Sequence, residues 1–468
     1  MYLEQFFVEG LGHASYLLGS DETREAAVVD PRRDGDGYVQ AAHRAGLTIR
    51  YVLETHVHND FVSGARQLAA RVGAEHVASA AAGLQHPHRG VREGDELRLG
   101  ELRITTLFTP GHTPEHVTYV VADTRRAEAP VLAFTGGDLL VGSVGRPDLL
   151  GRELGEQLAP LLYESLFGKI LKLADYVEVL PTHGAGSLCG KGIASKRTST
   201  IGYERRFNPA LQQPTKEAFV RYVLASNPGI PAYYQRMRPT NQQGPSEWRR
   251  PDPRPLAPAA VQHLAGHGAV VLDARPNAAF GGGHVPGAVN VGLGPLFATW
   301  VGWLLPHDVP LVLVLERDAD WDEAVTALAR IGYEQVAGFL WGGIEAWTAA
   351  GLPLARVPQW SVHDLRDRLA ADRLQVLDVR TEVEWAAGHI AGAVHVPLDQ
   401  LPARLDALDR RRPTAVLCGS GYRSSVATSL LQRAGFAEVA NVLGGMVAWQ
   451  AAAYPTTRAT EPAALQRR

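Results

Sequence analysis

The amino-acid sequence predicts an α/β protein of three domains, and three observations carry that expectation. At 468 residues the chain is too long for one core, and a prior of about 150 residues per domain suggests about three. Short β-branched runs such as Val271-Leu272 alternate with amphipathic stretches such as Ser424 to Ala434, the pattern of parallel βαβ construction. One such unit also occurs twice in the second half of the chain.

The first domain is expected over residues 1–245. Its opening runs, Gln5 to Glu9, Ala14 to Leu18 and Ala27 to Asp30, read as a β meander. The apolar strand Tyr51-Val52-Leu53 then leads into Thr55-His56-Val57-His58-Asn59-Asp60-Phe61, where two histidines and an aspartate at alternating positions converge on one point, as in a metal-binding loop. Pro110-Gly111-His112-Thr113-Pro114-Glu115-His116 and Thr135-Gly136-Gly137-Asp138 follow short β-rich runs, and Pro181-Thr182-His183-Gly184 adds a fourth loop of the kind. Residues 199 to 240, with Tyr203 and Tyr233-Tyr234, read as a helical extension. From Pro239 to Pro245 and on through Arg249 to Pro255, repeated proline disfavours helix and predicts an extended linker.

Two further domains are expected over 255–355 and 358–460. Val271-Leu272-Asp273-Ala274-Arg275 followed by Gly283-His284-Val285-Pro286-Gly287-Ala288 returns as Val376-Leu377-Asp378-Val379-Arg380 followed by Gly388-His389-Ile390-Ala391-Gly392-Ala393. Both copies close on Gly-Gly-x-x-x-Trp, at Gly342 to Trp347 and Gly444 to Trp449. A period of about a hundred residues is a duplicated domain, whereas solenoid repeats run to roughly 20–50.

The second copy places Cys418 at the end of a strand, before Gly419-Ser420-Gly421-Tyr422, Arg423 and a helix. Successive backbone N–H groups in such a loop form an anion-binding concavity, and the helix N-terminus adds partial positive charge. Both favour the nucleophilic thiolate, and Arg423 adds a fixed cation for a sulfite or persulfide oxyanion. In the first copy, aligning Pro310 with Pro413 and Gly332 with Gly435 sets Leu315 opposite Cys418, or Glu316 after a one-residue slip. Neither carries sulfur, and the acidic loop from Glu316 to Asp320 suits a spacing or docking role. Asp378, Arg380, Glu384 and His389 are assigned to the framework, because Asp273, Arg275 and His284 persist in the inactive copy.

Charge excludes some classes of partner. Lys+Arg of 46 against Asp+Glu of 49 leaves −3, with no footprint for nucleic acid or an acidic membrane surface. The opening residues lack the features of a secretory signal, and no apolar run approaches the ~20 residues of a membrane span. The two cysteines, Cys189 and Cys418, both lie in Gly-rich loops, so a disulfide framework is not expected and a reducing cytoplasm is.

The four His- and Asp-bearing loops resemble the metallo-β-lactamase superfamily, which implies an αββα sandwich. The doubled unit, Asp-x-Arg then Gly-His-x-x-Gly-Ala then Gly-Gly-x-x-x-Trp, resembles the rhodanese family, which implies two α/β domains with parallel sheets. In superfamily hydrolases with two zinc ions the first loop reads His-x-His-x-Asp-His. Here Phe61 stands last, and an aromatic ring cannot coordinate, so a second site would lack a nitrogen ligand. Two histidines and one carboxylate on one face leave adjacent positions open, a geometry suited to non-haem Fe(II) oxygen chemistry.

The pattern resembles the persulfide dioxygenases, implying one Fe(II) per chain on His56, His112 and Asp138, with His58, Asp60 and His183 orienting those ligands. Phe61 departs from the commoner dioxygenase loop, which retains His. Gly142 to Asp148 is similar to the Gly-Arg-x-Asp segment of those enzymes, implying Arg146 near the substrate mouth, braced by Asp148. The loop from Thr182 to Arg197 resembles bacterial fusions of a persulfide dioxygenase with two rhodanese units, implying that Cys189 relays sulfur between sites. Lys191, Lys196 and Arg197 suit an anionic thiol carrier.

The resemblance thus implies a bifunctional sulfide-detoxification enzyme that tends to self-associate as a dimer or tetramer. O2 would oxidise a low-molecular-weight persulfide, of glutathione, coenzyme A or bacillithiol type, to sulfite. Cys418 would pass sulfane sulfur to sulfite, giving thiosulfate, with Gly419, Ser420, Gly421 and Tyr422 lining the substrate. The rival reading is a zinc thioester hydrolase of glyoxalase II type with an accessory rhodanese.

Overall fold

In the strand His13–Gly19, Tyr16 and Leu18 join one buried cluster and Leu17 another. This two-residue period, repeated strand after strand, builds the layers of the N-terminal unit. The computed structural model describes residues 1–225, 227–369 and 373–458. Contacts divide the chain into two units, Met1–Arg250 with Thr326–Tyr333, and Pro251–Val325 with the segment from Glu334 onward.

In the first unit, strands Tyr2–Val8, His13–Gly19, Glu25–Val29, Thr48–Leu53, Glu75–Ser79 and Arg89–Val91 pair in chain order to make one sheet. The first three form the expected antiparallel meander. A second sheet runs Ser199–Thr200, Glu178–Pro181, Leu132–Gly136, Val117–Asp123, Leu102–Phe108, Glu96–Leu99. Tyr16, Leu18, Val29 and Leu53 of the first sheet meet Ile104, Tyr119, Val121 and Phe134 of the second in one core. The opposite face of the first sheet, through Leu17, Val28 and Val52, packs on helices Asp36–Arg44 and Ala65–Val72. That of the second, through Val120, Ala133 and Val179, packs on helices Arg152–Gly168 and Lys216–Leu224. The result is helix, sheet, sheet, helix.

One edge of this sandwich collects the loops. Leu132–Gly136 and Glu178–Pro181 run parallel and end together, and the hairpin of Leu102–Phe108 with Val117–Asp123 turns there. Val117 N–H donates to the Thr55 carbonyl at 2.8 Å and Thr182 N–H to that of Gly136 at 2.9 Å, tying the loops to one another.

The start of the expected linker is instead helical. Residues Tyr234–Gln243 form an α-helix with Pro239 inside it. An interior proline costs about 3 kcal/mol, and tertiary bonds offset that cost. Asn241 Nδ2 donates to the carbonyls of His58 and Phe61, each at 2.9 Å, and its Oδ1 accepts Ser63 N–H at 2.9 Å. Arg238 makes a two-pronged pair with buried Glu115 at 2.8 and 3.0 Å. No regular element is assigned from Gly244 to Arg254.

The second unit holds two five-stranded, all-parallel sheets of identical order. The first reads Pro255–Leu256, Val336–Leu340, Leu311–Val314, Val270–Asp273, Val289–Asn290. The second reads Gln359–Trp360, Val439–Val442, Thr414–Leu417, Gln375–Asp378, Val394–His395. Asp273 pairs with Val314 as Asp378 pairs with Leu417, so the register itself sets Leu315 opposite Cys418. Residues 459–460 of the expected third domain lie outside the described residues. No described helix is long and apolar enough to cross a membrane.

Replacing Asn241 by Ala leaves two carbonyls and an N–H of the histidine loop without partners. A destabilisation of about 1–3 kcal/mol is expected from urea unfolding of the full chain, and wild-type stability would show that the helix is held by other means.

Candidate metal centre and cysteine loop

The strand Thr48–Leu53 ends at a buried turn in which Asp30 accepts Thr55 N–H and Thr55 Oγ, both at 2.8 Å, as well as Thr182 Oγ. These bonds present His56 and His58 to the centre. The rings of His56, His112 and His183 lie 5.0 to 5.4 Å apart, centroid to centroid. His183 Nε2 is 3.3 Å from His56 Nε2, and His183 Nδ1 is 3.2 Å from Asp60. Two sets of three donors close to within 4.8 Å: His56 with His58 and His183, and His112 with His183 and Cys189. His183, expected only to orient ligands, is common to both. Asp138 belongs to neither set. It accepts His112 N–H at 3.0 Å through one oxygen, and its other oxygen lies 3.1 Å from His116.

The donor chemistry fits a metal ion. His112 Nε2, His58 Nδ1 and Asp60 Oδ1 are buried without a hydrogen-bond partner. Each such orphan costs about 1–3 kcal/mol, and a cation at the convergence satisfies several at once. Burial lowers His56 and His112 well below the ordinary imidazole value, with neighbouring rings adding to it, so both are neutral and offer a lone pair. His112 Nδ1 lies 3.0 Å from the Arg146 carbonyl, which leaves Nε2 as the lone-pair atom.

Several partners were not singled out from sequence. Asp30 sits 3.3 Å from His58. Burial alone would raise its carboxyl, but His58 and the threonine hydrogen bonds hold it below the usual range; burial lowers His58, but Asp30, with Glu54 and Asp60, leaves its value raised. His116 accepts Gly137 N–H at 2.9 Å and faces Asp138 with its other nitrogen. Glu115 receives Val57 N–H at 2.9 Å as well as Arg238. The His-x-x-x-His spacing of the second loop was the one available signal, for His116. Phe61 stacks against both His13, at 3.7 Å, and His58, at 4.3 Å, between ring centroids.

Arg146 is 3% exposed. Asp148 braces it through two bonds of 2.7 and 2.8 Å, and Nη1 donates to the carbonyls of Pro228 at 2.7 Å and Leu188 at 3.4 Å. Its guanidinium is thereby engaged with the protein, and Asp148 braces it as expected. Cys189 is also buried, held by its N–H to Ser187 Oγ and its carbonyl to Arg146 N–H. Burial pushes its thiol well up, with Asp60 adding to the effect. Its Sγ lies within 4.8 Å of ring nitrogens of His112 and His183.

In the second unit every carbonyl of the Cys418 loop is turned outward. Those of Cys418, Gly419 and Ser420 accept the N–H groups of Met446, Val447 and Gly444, at 2.8, 3.1 and 3.1 Å. The approach needs glycine: a Cβ on Gly445, at φ +51°, would fall 2.2 Å from the Cys418 carbonyl oxygen. With the carbonyls held away, Gly421 N–H points at Cys418 Sγ at 3.0 Å, and Ser424 Oγ lies 3.4 Å from it. Arg423 forms a two-pronged pair with Glu384 at 2.6 and 2.7 Å, so Glu384 belongs to this site as well as to the framework. The Tyr422 hydroxyl, expected to line the substrate, donates to the Gly292 carbonyl at 2.8 Å.

Comparison with known proteins follows the same division. The Metallo-beta-lactamase superfamily profile matches residues 8–127, and the Rhodanese-like domain profile matches 257–350 and 361–452. Persulfide dioxygenase ETHE1 of Mus musculus is 33% identical over 224 residues, covering 46% of this chain and 78% of that protein. Its Homo sapiens namesake is 32% identical over 211 residues, covering 45% and 75%. A solved metallo-β-lactamase from Staphylococcus aureus aligns with a TM-score of 0.66 at 31% identity, over 73% of this chain and 98% of its own.

Burial alone would raise the Glu384 carboxyl, but Arg423 and Thr381 hold it at about 2 against an ordinary 4.5. A carboxyl depressed on folding contributes stability that is present above about 4.5 and is lost as pH falls toward about 2. Glu384→Gln should therefore flatten the acid limb of thermal stability in that window. An unchanged acid limb would show that the pair contributes nothing.

Proposed function

Because the chain belongs to the persulfide dioxygenase family of the metallo-β-lactamase superfamily and carries two rhodanese-like domains, we propose that it oxidises a low-molecular-weight persulfide to sulfite and transfers sulfane sulfur to sulfite. The observation that carries this reading is one chain holding both a buried His/Asp centre and an intact Cys418 loop. One Fe(II) per chain would be held by His56, His112 and Asp138, with Asp60 orienting His183 and Asp30 orienting His58. Bound there, the iron supplies the redox chemistry between O2 and the terminal sulfur. The balance is RSSH + O2 + H2O giving RSH and sulfurous acid: the terminal sulfur loses four electrons, O2 gains them, and water contributes the third oxygen.

At the second site, the Cys418 thiolate attacks the outer sulfur of a persulfide, the S–S bond breaks and the carrier leaves as its thiolate. Sulfite then takes that sulfur, forming thiosulfate and returning the Cys418 thiolate. Gly421 N–H, aimed at Sγ, stabilises the anionic sulfur through both steps. No net oxidation occurs here. The first site makes the acceptor that the second consumes. We place the reaction in the cytoplasm, with a glutathione, coenzyme A or bacillithiol type carrier.

Phe61 disfavours the zinc hydrolase alternative, since its ring, packed against two histidines, offers no nitrogen to a second ion. The deciding measurements are metal content after anaerobic purification and product analysis with a persulfide panel. About one iron per chain is expected, and Cys418→Ser should shift the product from thiosulfate to sulfite while O2 uptake persists. Two zinc ions per chain with thioester cleavage, or enzymatic thiosulfate from the Cys418→Ser protein, would overturn the respective half.

A further inference from the structure

The carbonyl of Gly421 is the one in the Cys418 loop whose partners reach beyond its own repeat. It accepts Ser425 N–H at 3.2 Å, closing the first turn of helix Tyr422–Arg433. It also accepts Asn441 Nδ2 at 3.3 Å and Asn277 Nδ2 at 3.2 Å. Asn277 belongs to the first repeat. So does Gly292, whose carbonyl takes the Tyr422 hydroxyl at 2.8 Å. Next along the helix, Ser425 Oγ donates to Asn290 Oδ1 at 2.7 Å, and Asn290 N–H donates to Ser429 Oγ at 3.1 Å. Asn290 Nδ2 in turn holds the carbonyls of Asp273 and Arg275 at 2.9 and 3.0 Å. The strand ends of the inactive repeat are thus bonded to the loop and helix that carry the chemistry of the active one.

We infer that the first rhodanese-like repeat is a positioning domain for Cys418, acting through Asn277 and the Gly292 carbonyl on the Gly421 peptide and Tyr422. The inference rests on Cys418 being the sulfur carrier. Rotating the Gly421 carbonyl inward would place a negative dipole beside the anionic sulfur. Gly421 has the conformational freedom to move, at φ +109° with no Cβ. Asn277 and Asn441 bracket that carbonyl from two sides, while the Tyr422–Gly292 bond fixes the residue that follows.

The test is sulfur transfer from thiosulfate to cyanide by the full-length protein, which does not involve the metal centre. Asn277→Ala and Asn277→Asp each remove the amide donor, and Tyr422→Phe removes the hydroxyl. Each should lower kcat about fivefold, the worth of one hydrogen bond, and leave KM for thiosulfate within about twofold, because the lost interaction acts on the charged sulfur in transit. Gln432→Ala is the control, since it breaks the 3.1 Å contact of Gln432 with His284 between the same two repeats, away from the loop. It should leave kcat unchanged.

Full kcat in Asn277→Asp, or an equal loss in Gln432→Ala, would overturn the positioning role and leave only general packing of the repeats. Cys418→Ser is run alongside. Its loss of transfer upholds the assigned nucleophile, whereas persistent transfer in that protein rejects the nucleophile itself, a result distinct from either Asn277 outcome.

Discussion

The N-terminal unit is organised around charge buried at one edge of a sandwich. Asp30, Asp60 and Asp138 lie there with His13, His56, His58, His112, His116 and His183, all essentially inaccessible to water. An isolated buried carboxylate is so costly that it would neutralise or unfold its surroundings. Here each aspartate faces an imidazole at 3.1 to 3.3 Å, and the threonines at strand ends add hydrogen bonds to Asp30. The sandwich supplies the rigid strand termini that such pairing needs, and helix Tyr234–Gln243 locks the first loop from outside. The same accounting leaves His112 Nε2, His58 Nδ1 and Asp60 Oδ1 without protein partners, as a site for a cation would.

The cysteine loop answers an analogous constraint with dipoles instead of charges. The four residues from Cys418 to Gly421 carry as many carbonyls as amides, and only the amides help an anionic sulfur. The fold removes the carbonyls one at a time: three to the N-terminus of helix Gly445–Ala451, and the fourth to Asn277, Asn441 and the helix that follows. What is left facing Sγ is donor-rich. Gly445 is needed because two backbones must come within hydrogen-bonding distance there.

Much of this was legible in the chain. His and Asp residues in loops after apolar strands marked the first centre, and the duplicated Asp-x-Arg and Gly-Gly-x-x-x-Trp signatures marked the two parallel-sheet repeats, down to the alignment of Leu315 with Cys418. What escaped was set by tertiary contact. Asp30 lies at the end of a meander strand with no metal-like neighbour in sequence. Pro239 read as a helix breaker because the bonds of Asn241 and Arg238 that hold the helix reach to residues more than 100 positions away. Arg146 was recognised as notable, but only the fold shows its donors taken up by Asp148 and two carbonyls. His183 belongs to both groups of converging donors, a placement that spacing along the chain does not reveal.

The two repeats share one framework and differ at the position of the cysteine. Asp273 and Arg275 pair at 2.6 Å as Asp378 and Arg380 do at 2.7 Å, so this pair serves the strand end and not catalysis. The groups that differ are those at the sulfur: Cys418 becomes Leu315, Arg423 becomes Asp320 in register, and Glu384 becomes Ala279. Losing the cation together with its carboxylate avoids leaving either one unpaired. Asp320 is instead bonded to Arg317, capping the short helical turn that replaces the anion loop. The strand ends of the first repeat are held by Asn290, which bonds the carbonyls of Asp273 and Arg275 and also Ser425 and Ser429 of the second repeat.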